Sequence, residues 1–168
     1  MLMFDVRRAG PEDVSGIAAA HLDSIRSLGA QYYEPSIVSD WGGRVNADLY
    51  LQAMAVGEVF FIAVGELNGE PAVLGFSSHR VDEDAHRTAV YVRGGAARHG
   101  VGSALFRAAE AAVIAAGGAN IHVAASLAAV EFYRANGFAE IGRGEHRLWS
   151  GRTMPCVFMR KQLFARTS

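Results

Sequence analysis

The chain has 168 residues, of which 51% are hydrophobic and 20% are charged, and its formal net charge is −1. This composition is typical of one globular domain with a single core, so we expect residues 1–168 to form one domain and exclude a disordered or fibrous chain. The near-neutral charge, without a basic helix or stripe, argues against nucleic-acid binding, and the single cysteine, Cys156, excludes an internal disulfide or a cysteine-based metal site.

The first part of the chain predicts a strand, three helices and then three further strands. Alternation of apolar and polar residues predicts the first strand over residues 4–8. Helical spacing, which begins with a proline and two acidic residues, predicts helices over 11–28, 34–41 and 47–54. The period then changes, and strands are predicted over 59–64, 72–80 and 88–92. An Asn68-Gly69 turn and an acidic loop at 82–84 separate these strands, so an antiparallel meander is expected.

A glycine-rich turn at residues 94–102 follows and leads into a long helix, predicted over 101–116. A strand is predicted over 121–124, and a shorter helix over 127–136 ends at Gly137, a residue type common just beyond a helix. The last two strands are predicted over 143–149 and 154–160. This order of elements predicts an α+β domain, a mixed sheet with helices on its faces.

The order of strand, glycine turn and helix is typical of an anion-binding site. The first N–H groups of a helix lack intrahelical partners, and the helix dipole adds partial positive charge there. Gly100 and Gly102 leave the backbone open to a diphosphate. Two cations and a hydroxyl group adjoin them: Arg98, His99 and Ser103. A Walker loop is excluded because its lysine is missing, and a dinucleotide fingerprint is disfavoured because Leu105 occupies the third glycine position.

Two segments together resemble the GNAT superfamily of N-acetyltransferases: YVRGGAARHGVGSAL at residues 91–105 and ASLAAVEFYRANGFAEIG at residues 125–142. The second segment matches the family's spacing at Ser126, Ala129, Tyr133 and Gly137-Phe138. Ala97 departs from the Gln or Arg of the family's loop, Gly94 from its proline, and Ser126 from its more usual Asn. The resemblance covers nearly the whole chain. It implies the acyl-CoA N-acyltransferase fold, a mostly antiparallel mixed sheet of about seven strands flanked by about four helices.

The resemblance also implies acetyl-CoA as cosubstrate and direct transfer of its acetyl group to a primary amine of a small molecule or peptide. The residues expected to bind the coenzyme lie in the loop and its flanking elements: Tyr91, Val92, Arg98, His99, Gly100, Val101, Gly102, Ser103, Ser126 and Tyr133. By the same resemblance, Tyr133 protonates the departing thiolate, a task that suits an un-ionised phenol. The alternative for Tyr133 is a packing role beside Phe132.

Three histidines are candidates for the general base. Positions 86, 88, 90 and 92 share one face of the fourth strand, and His86 lies near its start, where family members often keep a Glu or His that acts through water. His79 and His122, on neighbouring strands, are the alternatives. No two histidines show helical i, i+4 spacing, and the family's chemistry needs no metal, so no metal site is expected.

The first helices, which the resemblance places on the acceptor side, carry the residues expected to contact the acceptor: His21, Tyr32 and Trp41. Ordinary helix-to-sheet packing is the alternative for them. A non-catalytic acyl-CoA-binding module, serving as a sensor or subunit, is the alternative function. No apolar stretch reaches about 18 residues, and the first ten residues do not resemble a signal peptide. A cytoplasmic protein without a membrane partner is therefore expected, with a homodimer possible through a sheet edge or the last hairpin.

Overall fold

The computed structural model describes residues 1–164, and the last four residues of the predicted domain lie outside the described part. The strands are β1 (Phe4–Arg8), β2 (Val59–Leu67), β3 (Glu70–Asp82), β4 (Ala85–Val92), β5 (Asn120–Ser126), β6 (Ala139–Arg147) and β7 (Thr153–Gln162). The helices are α1 (Val14–Ser27), α2 (Pro35–Gly42), α3 (Ala47–Ala55), α4 (Val101–Ala115) and α5 (Val130–Ala135). No helix within residues 1–164 is long and apolar enough to cross a membrane.

All seven strands join one sheet in the order β1-β2-β3-β4-β5-β7-β6. Neighbouring strands are antiparallel except for the central pair, β4 and β5, which are parallel. These two strands pair in register only at Arg87 and His122. Beyond that point they diverge, so the middle of the sheet opens into a gap toward the carboxyl ends of both strands.

Each face of the sheet is covered by its own set of helices. Helix α4 packs on one face, where Leu105 and Phe106 are buried against Ile121 and Met159. Helices α1 and α3 cover the other face, where Ile17 contributes to a second cluster that also contains Tyr50, Phe60, Ile62 and Phe76. Burial of this apolar surface holds the layers together.

Most of the predicted elements are confirmed, with three differences. The first helix divides into a short 3₁₀ turn at Pro11–Asp13 and α1. The helix predicted over 127–136 begins only at Val130, because residues 126–129 form a turn in which the Ala129 N–H donates to the Ser126 carbonyl (2.9 Å). The strand predicted over 143–149 runs instead from Ala139 to Arg147. In number, residues 1–164 contain five α-helices where about four were expected.

Candidate active site

Two cavities meet at the gap between β4 and β5. The first, of about 500 Å³, lies between α1, the loop before α4 and the segment before α5. The second, of about 380 Å³, lies on the face that α1 and α3 cover. Trp41, Tyr91 and Ser126 line both cavities. We call the first the cofactor cleft and the second the acceptor cavity, because a group transferred from one to the other would pass these three residues.

The cofactor cleft is built around the first turn of α4. Gly100 caps this helix with a positive φ of 81° and has no side chain to bond the first N–H groups. A Cβ atom on Gly100 would meet nothing within 4 Å, so the space beside it is open. A Cβ atom on Gly102 would lie 2.9 Å from the Phe132 ring, so this glycine lets α5 approach α4. Uncapped N–H groups facing open space suit an anion such as a diphosphate.

The loop that leads into α4 is anchored to α1. The Gly94 N–H donates to Asp23 Oδ1 (2.9 Å), and a Cβ atom on Gly94 would lie 2.5 Å from Ser27 Cβ. Gly94, which stands where the family has proline, is therefore the residue that lets the loop approach α1. Ala97 lines the cleft with its methyl group, and Arg98, which has a φ of 64°, is the cation beside it.

The predicted cofactor residues fall into two groups. Seven of them line the cleft: Tyr91, Val92, Arg98, Gly100, Gly102, Ser103 and Ser126. His99 is exposed and does not line it, and the Val101 side chain is buried in the core beneath α4. Val101 can therefore contribute only its backbone N–H to the cleft. Tyr32, expected to contact the acceptor, lines the cofactor cleft instead.

The backbone of β4 presents alternate residues to the gap. The Arg93 N–H donates to the Leu74 carbonyl of β3, whereas the Val90 N–H donates to the Tyr133 hydroxyl on the opposite side. Because N–H groups along a strand alternate in direction, Val90 and Val92 face the gap and Tyr91 pairs with β3. Because its backbone is paired with β3, Tyr91 contributes only its ring to the site. Val90 was not among the predicted residues, because the sequence does not show which strand edge is left unpaired.

Tyr133 lies against the edge of β4 that faces the gap, but it lines neither cavity. Its side chain is buried, and its hydroxyl accepts the Val90 N–H at 3.0 Å. Burial is the main cause that raises the pKa of Tyr133, and the nearby Tyr91 adds to it. The phenol is therefore un-ionised at neutral pH and retains a proton that it can donate.

Aromatic side chains form the end of the acceptor cavity that adjoins the gap. The His21 ring lies 4.1 Å from the Tyr91 ring, and His21 Nδ1 lies 2.6 Å from the Tyr50 hydroxyl. Burial lowers the pKa of His21 to about 4, so its imidazole is neutral at pH 7. His21 Nε2 is buried without a hydrogen-bond partner among the described residues. A polar atom left in this state, at the wall of a cavity, is suited to meet a polar group of a ligand.

The far end of the acceptor cavity is lined by polar side chains of β3, β4 and β5 and of the segment before β2. Arg80 of β3 stands directly opposite Arg87 of β4, and Arg87 pairs with His122 of β5. Glu58, just before β2, lies near Arg80, with Oε1 at 4.0 Å from Arg80 Nε. Burial raises the pKa of Glu58, and Arg80 partly opposes this. Burial lowers the pKa of His122, and Arg87 and Arg160 lower it further.

His86 does not reach either cavity. It lies on the α4 face of the sheet, where its Nδ1 is 2.9 Å from His79 Nε2 and its ring is near Gly118. The structure thus brings His122, but neither His79 nor His86, into the acceptor cavity. Within residues 1–164, no group of three or more His, Cys, Asp or Glu side chains is placed to hold a metal ion.

The residues of the acceptor cavity that the sequence did not reveal include Tyr50, Glu58, Arg80 and Arg87. Tyr50 and Glu58 belong to separate elements and carry no motif. The two arginines had a usable signal, because the β3–β4 turn consists of Glu83 and Asp84, both with positive φ. A two-residue hairpin turn fixes the register of its strands, and that register places Arg80 opposite Arg87.

The comparisons with known proteins agree with this geometry. A family model described as acetyltransferase (GNAT) domain matches residues 30–161. No curated protein matches the chain significantly.

Three similar solved structures show the same fold. One, described as a GCN5-related N-acetyltransferase and as a class-II aminotransferase, from Rhodopseudomonas palustris, is 27% identical with a TM-score of 0.81, covering 97% of this chain and 98% of that one. The PaiA N-acetyltransferase of Thermoplasma acidophilum, in complex with coenzyme A, is 14% identical with a TM-score of 0.72 (96% and 99% covered). YncA from Salmonella typhimurium, with its cofactor acetyl-CoA, is 18% identical with a TM-score of 0.70 (99% and 97% covered).

Proposed function

This chain belongs to the GNAT acetyltransferase family, and from that premise we propose that it transfers the acetyl group of acetyl-CoA to a primary amine of a small molecule or peptide by direct attack. One observation carries the proposal: a cleft with uncapped helix N–H groups and a cavity with buried polar side chains meet at Trp41, Tyr91 and Ser126. Two ligands held in these sites would have their reactive ends at one place, as direct transfer requires.

The residues of the cofactor cleft fit acetyl-CoA, whose thioester supplies the activated acetyl group. The first N–H groups of α4 and the Arg98 guanidinium would hold the diphosphate, and the Ser103 hydroxyl lies beside them. The Val90 carbonyl and the backbone groups of Val92 would hold the pantetheine arm by extending β4. The absence of a side chain at Gly100 lets the backbone come close to this ligand.

We assign to Tyr133 the protonation of the leaving sulfur. During transfer the amine nitrogen bonds the acetyl carbon while the carbon–sulfur bond breaks, so the thiolate must gain a proton and the nitrogen must lose one. The Val90 N–H already occupies one acceptor site of the Tyr133 hydroxyl, which directs the phenolic proton elsewhere. The raised pKa keeps that proton bound until the thiolate forms.

We assign the uptake of the amine proton to His122 rather than to His86. His122 lies in the acceptor cavity, and its lowered pKa leaves the imidazole uncharged at neutral pH. The proton would reach it through water, because His122 lies at the polar end of the cavity and the gap lies at the other. His21, with its unpartnered Nε2 beside Tyr91, would bind the amine at the gap.

The test is a thiol-release assay with acetyl-CoA and a panel of primary amines, with the acetylated product identified by mass spectrometry. The proposal predicts equal release of thiol and formation of an N-acetyl product for at least one class of amine. Calorimetry with acetyl-CoA is run in parallel. Binding of acetyl-CoA without acetylation of any amine would instead identify a non-catalytic acyl-CoA-binding module.

A further inference from the structure

A row of basic side chains crosses four strands of the sheet and runs through the polar end of the acceptor cavity. Arg80, Arg87, His122 and Arg160 follow one another in register on β3, β4, β5 and β7, and paired residues of neighbouring strands share a face. The first three line the acceptor cavity, whereas Arg160 is exposed outside it. Like charges placed directly opposite each other repel, so the pair formed by Arg80 and Arg87 calls for a compensating anion.

The carboxylates nearby compensate these arginines only in part. Glu58 Oε1 lies 4.0 Å from Arg80 Nε, and Asp82 Oδ2 lies 3.5 Å from Arg87 Nε. Arg87 Nε is nevertheless buried without a hydrogen bond, and the Asp82 side chain is 50% exposed. Each guanidinium has five N–H donors, so most of the donors at this end of the cavity remain available to a ligand.

We propose that the acceptor is an amine that also carries a carboxylate, and that Arg80 and Arg87 bind this carboxylate. This inference rests on the proposed function and names its substrate class. A planar guanidinium matches a carboxylate with two parallel hydrogen bonds. Because Glu58 and Asp82 already offset part of the positive charge, a single negative charge fits this site better than a doubly charged phosphate.

The geometry also limits the length of the acceptor. Arg87 and Val90 are three residues apart on β4, which corresponds to roughly 10 Å at the rise of an extended strand. An acceptor whose amine reaches the gap while its carboxylate meets the arginines is therefore extended. This favours an ω-amino acid, or the side-chain amine of a diamino acid, over the α-amine of a simple amino acid, whose two groups share one carbon.

The experiment compares ε-aminocaproate with n-hexylamine and ε-aminocaproamide, which keep the amine but lack the negative charge. Wild-type kcat/KM should be about tenfold or more higher for ε-aminocaproate, and Arg87→Gln should remove that preference. Arg80→Gln is the second variant, in case the first does not fold. Arg160→Gln, in the same row but outside the cavity, is the matched control and should keep the preference within about twofold.

Binding is measured separately from turnover, by calorimetry of N-acetyl-ε-aminocaproate with the protein saturated with coenzyme A. Binding that weakens about tenfold in Arg87→Gln supports the inference even if no amine is acetylated, and in that case only the proposed function fails. The inference is overturned if the carboxylate compound does not bind, or binds wild type and Arg87→Gln equally. A preference for uncharged amines or for diamines such as cadaverine also overturns it.

Discussion

The cofactor cleft and the acceptor cavity lie side by side along β4, but they are built from different parts of the chain. The cleft is built around backbone groups of the glycine turn, the first turn of α4 and the open edge of β4, beside side chains such as Tyr32 and Phe132. The acceptor cavity consists of side chains from α1, α2, α3 and six strands, β2 to β7. Backbone sites depend on local conformation, and side-chain sites depend on which strands become neighbours. A change in the cleft should therefore affect coenzyme binding, and a change in the cavity should affect acceptor use.

Tyr133→Phe should have the largest effect, because Tyr133 is the residue that we assign to the chemical step itself. We expect kcat to fall by about 10²-fold or more, in the range of general acid–base catalysis, while the dissociation constant of acetyl-CoA changes by less than about threefold. Steady-state kinetics and calorimetry measure the two quantities.

Tyr33→Phe is the matched control for this change. Tyr33 is also a buried tyrosine whose hydroxyl accepts a backbone N–H, that of Leu127 at 2.9 Å, and it donates to the Pro155 carbonyl at 2.6 Å. Both variants leave a backbone N–H unpaired, buried at Val90 and partly buried at Leu127, so both should lose about 1–3 kcal/mol of stability. If Tyr33→Phe lowered kcat as much as Tyr133→Phe, the loss would be structural and the proton-donor role would be refuted.

His21, in the wall of the acceptor cavity, should make the free energy of unfolding depend on pH. The pKa of His21 is about 4 in the folded protein, below its ordinary value of 6.5, so between these values the unfolded chain binds more protons. The stabilising contribution is complete above pH 6.5 and is lost as the pH falls toward 4. Integrated over this window, it amounts to about 3 kcal/mol.

Denaturant unfolding between pH 7 and pH 4 measures this contribution, with His21→Leu as the reference variant. Wild type should lose about 3 kcal/mol more than His21→Leu over the window. His79 and His122, whose pKa values are also lowered mainly by burial, are present in both proteins, so their effect cancels. If the free energies of unfolding of wild type and His21→Leu changed equally with pH, the fold would not keep His21 neutral.

The backbone character of the cofactor cleft is tested by two glycines with the same conformation. Gly100 and Gly117 both have a φ of 81°, and a Cβ atom on either would meet nothing within 4 Å. Alanine at either position should cost about 1–2 kcal/mol of stability. Only Gly100→Ala should also weaken coenzyme A binding, by about tenfold, because its methyl group would enter the space of the ligand. Equal affinities in the two variants would contradict a diphosphate site at Gly100.

The same contrast explains which parts of the structure could be predicted from the sequence. The turn at Gly100 and the spacing from Ser126 to Gly137 are local features, and the structure places Gly100 and Ser126 at the cleft. Most strands and helices were also predicted, because their apolar periodicity is local. Val90 could not be found in this way, because its role depends on the divergence of β4 from β5, which follows from packing between distant segments. The register of the arginine pair is local, but the local pattern does not show that the pair lines a cavity.

The choice among the candidate histidines shows what strand alternation alone cannot predict. Alternation along β4 correctly placed positions 86 and 88 with 90 and 92 on one face, but it could not tell which face the acceptor helices cover. That face is the opposite one, which carries Arg87 and Tyr91. His122 lies on it because it pairs with Arg87, a contact between strands that are separated by all of α4.

The smallest predicted effect tests this assignment by comparing His122→Gln with His86→Gln. We expect His122→Gln to lower kcat/KM by about fivefold at pH 7, less than the roughly 10²-fold of a directly bonded base, because the proton reaches His122 through water. His86→Gln should change kcat/KM by less than about twofold. The defect of His122→Gln should also shrink as the pH rises, since the amine then arrives already neutral. If His86→Gln lowered kcat/KM more than His122→Gln, the general base would lie on the α4 face of the sheet. The assignment of His122 as the proton acceptor of the acceptor cavity would then be wrong.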